Sequence, residues 1–360
     1  MTLKKKLITI GLEYKGTKNA LDGCFNDANM IEKVFGDIYD FKADEILSIR
    51  DDKIKQGSRQ HILSSLDQAK SEKLDFLVFY YAGHGIQVTD YEGDEAITYE
   101  KNNKKFDYYN KGSSTDSALV TNEGNRTSKI LDDELRTKIS EFDSKTKILC
   151  IFDACHSGTI MDLTYVNILK KSRYYKEDEV VSRDISYLIN RTKFYEYLPV
   201  AYKQENMGPT VICISAGRDY QYVYEKSLGG HTQGHFTYTL CTQVLRKVEL
   251  DKVPLGDLII IVGMIINNKK QIPMMSCSKP IDISNSYVDE VPLNVKLTSE
   301  DHYKVGSNDP VKKNFLSSLL LLLSRNENKS ILKYFNSKML FYTCVPSLLL
   351  FFVCYFYLKF

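Results

Sequence analysis

The chain has 360 residues, 43% hydrophobic and 26% charged, which is enough to bury a sizeable core in one or two domains. Its formal net charge of +2 gives no electrostatic case for nucleic acid as a partner. Eight cysteines, none in a CxxC pair and several inside apolar runs, favour buried free thiols in a reducing compartment over a disulfide framework.

Strands and helices alternate in the apolar pattern of the first 285 or so residues. Strands are predicted at 7–12, 45–49, 74–81, 147–152 and 210–215. Helices are predicted at 22–35, 58–70, 130–139, 236–248 and 255–266. Such alternation predicts parallel pairing, and near-continuous apolar strands are typical of a sheet covered on both faces. The predicted fold class is α/β, with a mostly parallel central sheet and helices on both faces.

Two stretches, 98–129 and 164–206, are polar or charge-mixed, lack a clean period, and are predicted to be long loops. The second carries basic residues that make it a candidate for self-cleavage, although solvated loops are commonly charged. Residues 287–338 are expected to form a spacer.

The C-terminal run 339–358 contains twenty residues without a charge. At 1.5 Å per residue, such a helix spans a hydrocarbon core of about 30 Å. The N-terminal apolar run ends before Glu13, which is short for a secretory signal, and no cleavage site follows. We therefore expect a tail anchor that leaves the preceding domain facing the cytosol. The alternative is a buried terminal helix or strand.

Two segments carry reactive residues, LVFYYAGHG at 77–85 and ILCIFDACHSG at 148–158. Each is an apolar strand followed by small and polar residues. Because the carboxyl ends of parallel strands share one edge of a sheet, His84 and Cys155 are expected to lie together. Glycines beside both residues, among them Gly158, allow sharp turns.

A thiol near an imidazole becomes a good nucleophile, and the same imidazole can protonate a leaving amine. We therefore predict a Cys155–His84 dyad, with the N–H of Cys155 or Gly158 facing an oxyanion. The competing interpretation is a packed core histidine and an inert buried thiol, which is the commoner situation for an isolated residue of either type.

FYYAGHG and FDACHSG resemble the histidine and cysteine motifs of the metacaspases, the caspase-like cysteine peptidases. Weaker likenesses occur at 21–28, 130–135, 211–221, 234–240 and 271–283, so the resemblance covers roughly residues 5–285. It implies a caspase-like three-layer sandwich over 1–286, with a large-subunit-like part to about 163 and a small-subunit-like part at 207–286. It also implies endopeptidase activity on protein substrates, on the carboxyl side of Arg or Lys. The sequence suggests no dimer surface, so we expect a monomer.

The resemblance also implies roles for particular residues. Cys24, Asp27 and Asp153 match the pocket for the basic substrate residue, and two carboxylates there suit a guanidinium. The N–H groups of Gly85 and Cys155 would face the oxyanion. Many metacaspases are activated by calcium, and the implied ligands are Asp132, Asp133, Asp162 and Asp94. The first two have a plainer alternative as helix caps.

One departure from the family pattern is Ala82, which stands where Ser usually precedes Gly-His. The main alternative function is a catalytically silent scaffold that binds basic peptides at a membrane. Retention of both His84 and Cys155 argues against it. A metal-dependent hydrolase is disfavoured because no HxxxH or CxxC spacing is present.

Overall fold

The computed structural model describes residues 3–53, 56–89, 98–101, 104–107, 115–171, 188–189, 192, 195–201, 208–219, 221–266, 271–288, 293–299, 302 and 304–305. Within them, one sheet of nine strands forms the centre, in the order β16-β11-β10-β15-β12-β9-β3-β1-β2. These strands are β1 (Lys5–Gly11), β2 (Ile46–Arg50), β3 (Phe76–Ala82), β9 (Lys147–Asp153), β10 (Tyr165–Lys171), β11 (Tyr195–Ala201), β12 (Thr210–Ser215), β15 (Met274–Cys277) and β16 (Lys304–Val305).

The five strands at one side of this sheet, β2, β1, β3, β9 and β12, are parallel throughout. All seven residues of β3 are buried, as are six of the seven in β9, because both sheet faces are covered here. Each strand lies within two residues of its predicted start. Beyond β12 the sheet becomes antiparallel through β15, β10 and β11, while β16 runs parallel to β11. The predicted α/β class with a mostly parallel sheet is confirmed.

Helices cover both faces of the sheet, giving three layers. They are α1 (Cys24–Tyr39), α2 (Arg59–Ser71), α3 (Asp132–Ser140), α4 (His235–Tyr238), which continues as a π-helical segment (Thr239–Leu245), and α5 (Leu255–Ile266). One apolar core joins α1, α4 and α5 to one face, and a second joins α2 and α3 to the other. Successive residues of β3 alternate between these cores, so Tyr80 faces the first and Tyr81 the second.

The prediction of a long loop at 98–129 was wrong. This part of the chain contains β5 (Thr98–Lys101), β6 (Lys104–Asp107), β7 (Thr115–Asn122) and β8 (Thr127–Leu131). β7 pairs with β8 and with β4 (Gly85–Thr89) in a separate three-stranded antiparallel sheet. Residues 116–122 of β7 are all buried. Tertiary packing therefore stabilises β7 as a strand, although its polar and apolar residues do not alternate.

The loop prediction for 164–206 was also wrong, since β10 and β11 lie in it and pair with each other antiparallel. Both belong to the central sheet, and so do Lys170 and Lys171, two of the basic residues in this stretch. The packed unit also continues past residue 286. β16 pairs with β11, and Leu293 is buried in the first core.

A further two-stranded ribbon completes the described elements, with β13 (Glu225–Leu228) paired to β14 (His231–Gly234). The apolar run 339–358 lies outside the described residues. None of the helices in the described part of the chain has the length and apolar character that crossing a bilayer requires.

Candidate active site

The two reactive residues follow neighbouring strands at the same edge of the central sheet. β3 and β9 pair in parallel with Ala82 opposite Asp153. His84 and Cys155 each come two residues later, so this register brings the two chain segments side by side. A Cβ atom at Gly85 would collide with the carbonyl oxygen of Cys155. Glycine at position 85 therefore allows the two segments to pack this closely.

The imidazole of His84 is oriented by Asn19 and Tyr14. Its Nε2 atom lies 2.7 Å from the main-chain oxygen of Asn19. A carbonyl oxygen only accepts hydrogen bonds, so Nε2 carries a proton in this contact. The ring also packs on the ring of Tyr14, with centroids 4.9 Å apart. The Asn19 carbonyl therefore selects the tautomer in which Nδ1 is the basic atom of the neutral ring.

Cys155 is partly buried, and its sulfur lies against the main chain of Val223. Sγ accepts a hydrogen bond from the N–H of Val223 at 3.2 Å and lies 3.8 Å from its carbonyl oxygen. Burial raises the pKa of the Cys155 thiol, and the hydrogen bond from Val223 partly opposes this shift. The thiol therefore needs a base to remove its proton at neutral pH.

The turn after Cys155 is made by His156, not by the glycine that the sequence suggested. His156 adopts a left-handed backbone with φ of 55°, and its Nδ1 atom hydrogen bonds to the main-chain oxygen of Asp219. Gly158 packs against Asp219, since a Cβ atom there would lie 2.8 Å from its carboxylate. Close packing, rather than a positive φ, explains this glycine.

The three residues predicted to line a substrate pocket lie close together, next to the chain segment that carries Cys155. Cys24 begins α1, Asp27 lies in its first turn, and Asp153 ends β9. The carboxylate of Asp27 accepts the N–H of Gly234 at 2.8 and 2.9 Å. A Cβ atom at Gly234 would collide with the carboxylate of Asp153 and lie 3.0 Å from Asp27 Oδ2. The two acids therefore flank the same glycine.

Both acids are buried, and they repel each other. Burial raises the pKa of Asp27, and the negative charge of Asp153 raises it further. Burial likewise raises the pKa of Asp153. Asp153 Oδ2 accepts hydrogen bonds from the N–H and Oγ1 of Thr237 at 3.1 and 2.6 Å. Its Oδ1 atom is buried without a hydrogen-bond partner in the part of the chain that the structure describes. Among the described residues, the donors to these two acids are main-chain N–H groups and a hydroxyl, and none of them is positively charged.

A third acid, Glu225 at the start of β13, was missed by the sequence analysis. Its carboxylate accepts the N–H groups of Gly23 and Asp22 at 2.8 and 3.3 Å and lies 3.9 Å from Sγ of Cys24. Its charge raises the pKa of both Asp27 and Asp153. No local pattern predicts this role, because Glu225 lies about 200 residues from the helix terminus that it contacts.

Comparison with known proteins agrees with this geometry. Residues 5–164 match the family model of the metacaspase, peptidase C14 domain. This region is a metacaspase domain. Metacaspase-1 of Schizosaccharomyces pombe is 26% identical over 315 residues, covering 79% of this chain and 70% of its own. Metacaspase-1A of Aspergillus fumigatus is 26% identical over 314 residues, covering 80% and 72%. The chain is thus a caspase-like cysteine endopeptidase.

Among solved structures, a protein from Geobacter sulfurreducens overlays this metacaspase with a TM-score of 0.49 at 19% identity. The overlay covers 76% of this chain and 93% of the other.

A second group of acids lies around the start of α3. Asp132 begins α3, and its carboxylate accepts the N–H of Ser117 at 2.6 Å and of Asp133 at 3.0 Å. Burial raises the pKa of Asp132 to about 8, with further contributions from the charges of Asp162 and Asp116. Asp162 is buried and has a left-handed backbone, with φ of 46°. The structure therefore brings Asp132, Asp133 and Asp162 into one region.

These acids meet the chemical requirement of a calcium site, since Ca²⁺ takes oxygen ligands. As they stand, no three His, Cys, Asp or Glu side chains of the described residues are arranged to hold a metal ion. Asp94, the fourth predicted ligand, lies outside the described residues. The sequence analysis missed Asp116 as a member of this acidic group. Its carboxylate at the start of the apolar run of β7 was a signal that could have indicated it.

Proposed function

We propose that this metacaspase hydrolyses peptide bonds on the carboxyl side of Arg and Lys, with Cys155 as nucleophile and His84 as acid and base. The observation that carries the specificity is the buried pair Asp27 and Asp153. The Oδ1 atom of Asp153 has no hydrogen-bond partner among the described residues, and in this part of the chain the charges acting on Asp27 and Asp153 are those of other carboxylates. A guanidinium or ammonium group would neutralise this repulsion and donate the missing hydrogen bonds.

The reaction follows from the surroundings of the dyad. With Nε2 bonded to Asn19, Nδ1 of His84 takes the proton from Sγ of Cys155 as the sulfur attacks the substrate carbonyl. The N–H groups of Gly85 and Cys155 are the proposed donors to the tetrahedral oxyanion. The imidazolium then protonates the leaving amine, and the peptide bond breaks to leave a thioester. Water, deprotonated by the same imidazole, hydrolyses the thioester and releases Cys155.

Burial of the thiol explains why the base is required. The raised pKa of Cys155 keeps the sulfur protonated at neutral pH, so proton transfer accompanies attack. The N–H of Val223, 3.2 Å from Sγ, stabilises the thiolate while it exists. The silent-scaffold alternative gives no reason for a histidine with a selected tautomer at the same sheet edge as this thiol.

We further propose that calcium activates the enzyme. Asp116, Asp132, Asp133 and Asp162 would hold the ion, which would supply positive charge to carboxylates that otherwise repel. Binding requires these side chains to converge.

Residues 339–358 are proposed to anchor the enzyme in a membrane, with the peptidase domain in the cytosol. Retention of the full chain in the pellet after alkaline carbonate extraction, with release of a chain ending at residue 305, tests the anchor.

The test of the peptidase is turnover of matched peptides ending in Arg, Lys or Asp, with and without calcium. We expect Arg and Lys peptides to be cleaved and the Asp peptide to be spared. Cys155→Ala abolishes turnover without a change in circular dichroism. Cys150→Ala, at a thiol buried in the second core beside Cys213 and not beside the pocket acids, is the matched control and keeps its activity. Turnover confined to the Asp peptide would refute the pocket assignment, and turnover by Cys155→Ala would refute the nucleophile.

A further inference from the structure

A pair of buried tyrosines packs against the main chain of His84. Tyr14 and Tyr81 are both 0% exposed, and their hydroxyl oxygens are 2.9 Å apart. The hydroxyl of Tyr14 accepts the main-chain N–H of His84 at 3.1 Å. The hydroxyl of Tyr81 lies 2.9 Å from the main-chain oxygen of His84, to which it donates. Both hydroxyls also lie 2.7 Å from the carbonyl oxygen of Val120. The peptide groups on either side of the histidine are therefore held by phenols.

Gly83 makes this arrangement possible. A Cβ atom at Gly83 would lie 2.6 Å from the hydroxyl of Tyr81 and 2.8 Å from that of Tyr14. Any side chain at this position would push the phenols away from His84. The glycine before the histidine is thus explained by the tyrosine pair and needs no unusual backbone angle.

Tyr14 also controls the side chain of His84. Its ring packs on the imidazole, and its carbonyl oxygen accepts two hydrogen bonds from Thr17, at 3.1 Å from N–H and 2.8 Å from Oγ1. Oγ1 of Thr17 in turn accepts the N–H of Asn19 at 3.1 Å. The carbonyl of Asn19 is the group that bonds Nε2 of the imidazole. One residue therefore supports the ring, the backbone and the orienting carbonyl.

The backbone of Tyr14 is strained to make these contacts. Its φ of 50° is left-handed, a conformation that is uncommon for residues other than glycine and especially for bulky ones. The carboxylate of Asp51 holds this conformation by accepting the N–H groups of Glu13 and Tyr14 at 2.9 and 2.8 Å. Backbone strain of this kind persists only where the surrounding structure holds the strained conformation in place. Here that conformation places the phenol of Tyr14 against His84.

We propose that Tyr14, paired with Tyr81, is a positioning residue that holds the His84 imidazole in the orientation required for proton exchange with Cys155. The inference rests on the proposed dyad. Neither phenol touches the reacting atoms, so each acts through His84. Loss of the Tyr14 hydroxyl removes its hydrogen bond with the main-chain N–H of His84. Ring packing is then the remaining direct contact of residue 14 with His84.

The experiment compares Tyr14→Phe, Tyr81→Phe and His84→Ala with wild type in the full chain. Tyr39→Phe is the matched control, because Tyr39 is a buried tyrosine of α1 in the core that contacts neither His84 nor Cys155 in any described hydrogen bond or ring contact. Two quantities are measured: kcat and KM on an Arg peptide, and the pH profile of iodoacetamide alkylation at Cys155, followed by mass spectrometry of its peptide.

We expect Tyr14→Phe to lower kcat about tenfold to a hundredfold with KM changed less than about twofold. Its alkylation profile should shift toward that of His84→Ala, by about half a pH unit or more to higher pH. Tyr39→Phe should match wild type in both. If Tyr14→Phe fails to fold, the same two criteria applied to Tyr81→Phe decide the matter.

The outcomes separate this inference from the proposed function. A shifted profile in His84→Ala with wild-type kcat and profile in Tyr14→Phe overturns the positioning role alone. An alkylation profile that His84→Ala leaves unchanged refutes the dyad and this inference with it. Shifted profiles in both variants, in a protein that cleaves no Arg or Lys peptide, support the positioning role and refute only the proposed specificity.

Discussion

Asp153→Asn should stabilise this protein at neutral pH and at the same time weaken its action on Arg peptides. Burial raises the pKa of Asp153 to about 6, against an ordinary value of 3.8. An acid with a raised folded pKa contributes stability below its unfolded pKa, and this stability is lost as pH rises through the folded value. The loss is thus complete above about pH 6 and amounts to at most about 3 kcal/mol, at about 1.4 kcal/mol per pH unit.

Asparagine removes this loss without disturbing the packing. Its amide oxygen can keep the two hydrogen bonds from Thr237, and its neutral NH₂ group, in the place of Oδ1, removes the charge that repels Asp27. We therefore expect the melting temperature to rise at pH 7.5 by roughly 5–10 °C at most. The activity changes in the opposite direction, since a lost charge pair with the substrate costs about 2–5 kcal/mol, or about 30-fold to 5,000-fold in kcat/KM.

The assay is thermal denaturation of wild type and variant between pH 4 and 8 without calcium, followed by kinetics on the Arg peptide. The stability difference should grow from about pH 4 to pH 6 and then level off. Asp37→Asn is the control whose stability difference stays level above about pH 5, because the hydrogen bond from Arg246 lowers the pKa of that exposed acid and its contribution changes only at lower pH. A variant that is less stable than wild type by the same amount at every pH would refute the idea that the empty pocket is electrostatically unfavourable.

Three further changes test other parts of the site. Gly85→Ala should lower kcat about a hundredfold, because its Cβ atom would displace the main chain of Cys155. Gly36→Ala in α1 is the control and should leave kcat unchanged, since the added methyl group makes only an ordinary contact at 3.7 Å. Glu225→Gln should raise KM for Arg and Lys peptides about fivefold to tenfold by removing one pocket charge, and an unchanged KM would exclude Glu225 from the pocket. Asp132→Asn should raise the calcium concentration needed for half-maximal activity about tenfold, measured by calcium titration of peptide turnover, whereas Asp67→Asn on the surface of α2 should not.

Local sequence determined the framework of this fold. The runs at 74–81, 147–152 and 210–215 are so continuously apolar that only a sheet covered on both faces suits them, and each forms a strand close to its predicted bounds. Because parallel strands in register end at one edge, the pattern also indicated that His84 and Cys155 would meet. The parallel register of β3 on β9 places the two motifs side by side, and the dyad itself stays a prediction.

Long-range packing decided what the sequence could not. β7 and β10 contain too many polar residues to show a strand period, and they form strands because the completed sheets supply their partners and cover. Glu225 reaches the terminus of α1, Asp116 acts on Asp132, and Tyr14 holds His84 through contacts between distant segments. Electrostatic repulsion and hydrogen bonding depend on separation in space, and separation along the chain gives no measure of it. The residues proposed to react are therefore visible in the sequence, whereas the groups that orient them and set their electrostatic surroundings appear only in the folded chain.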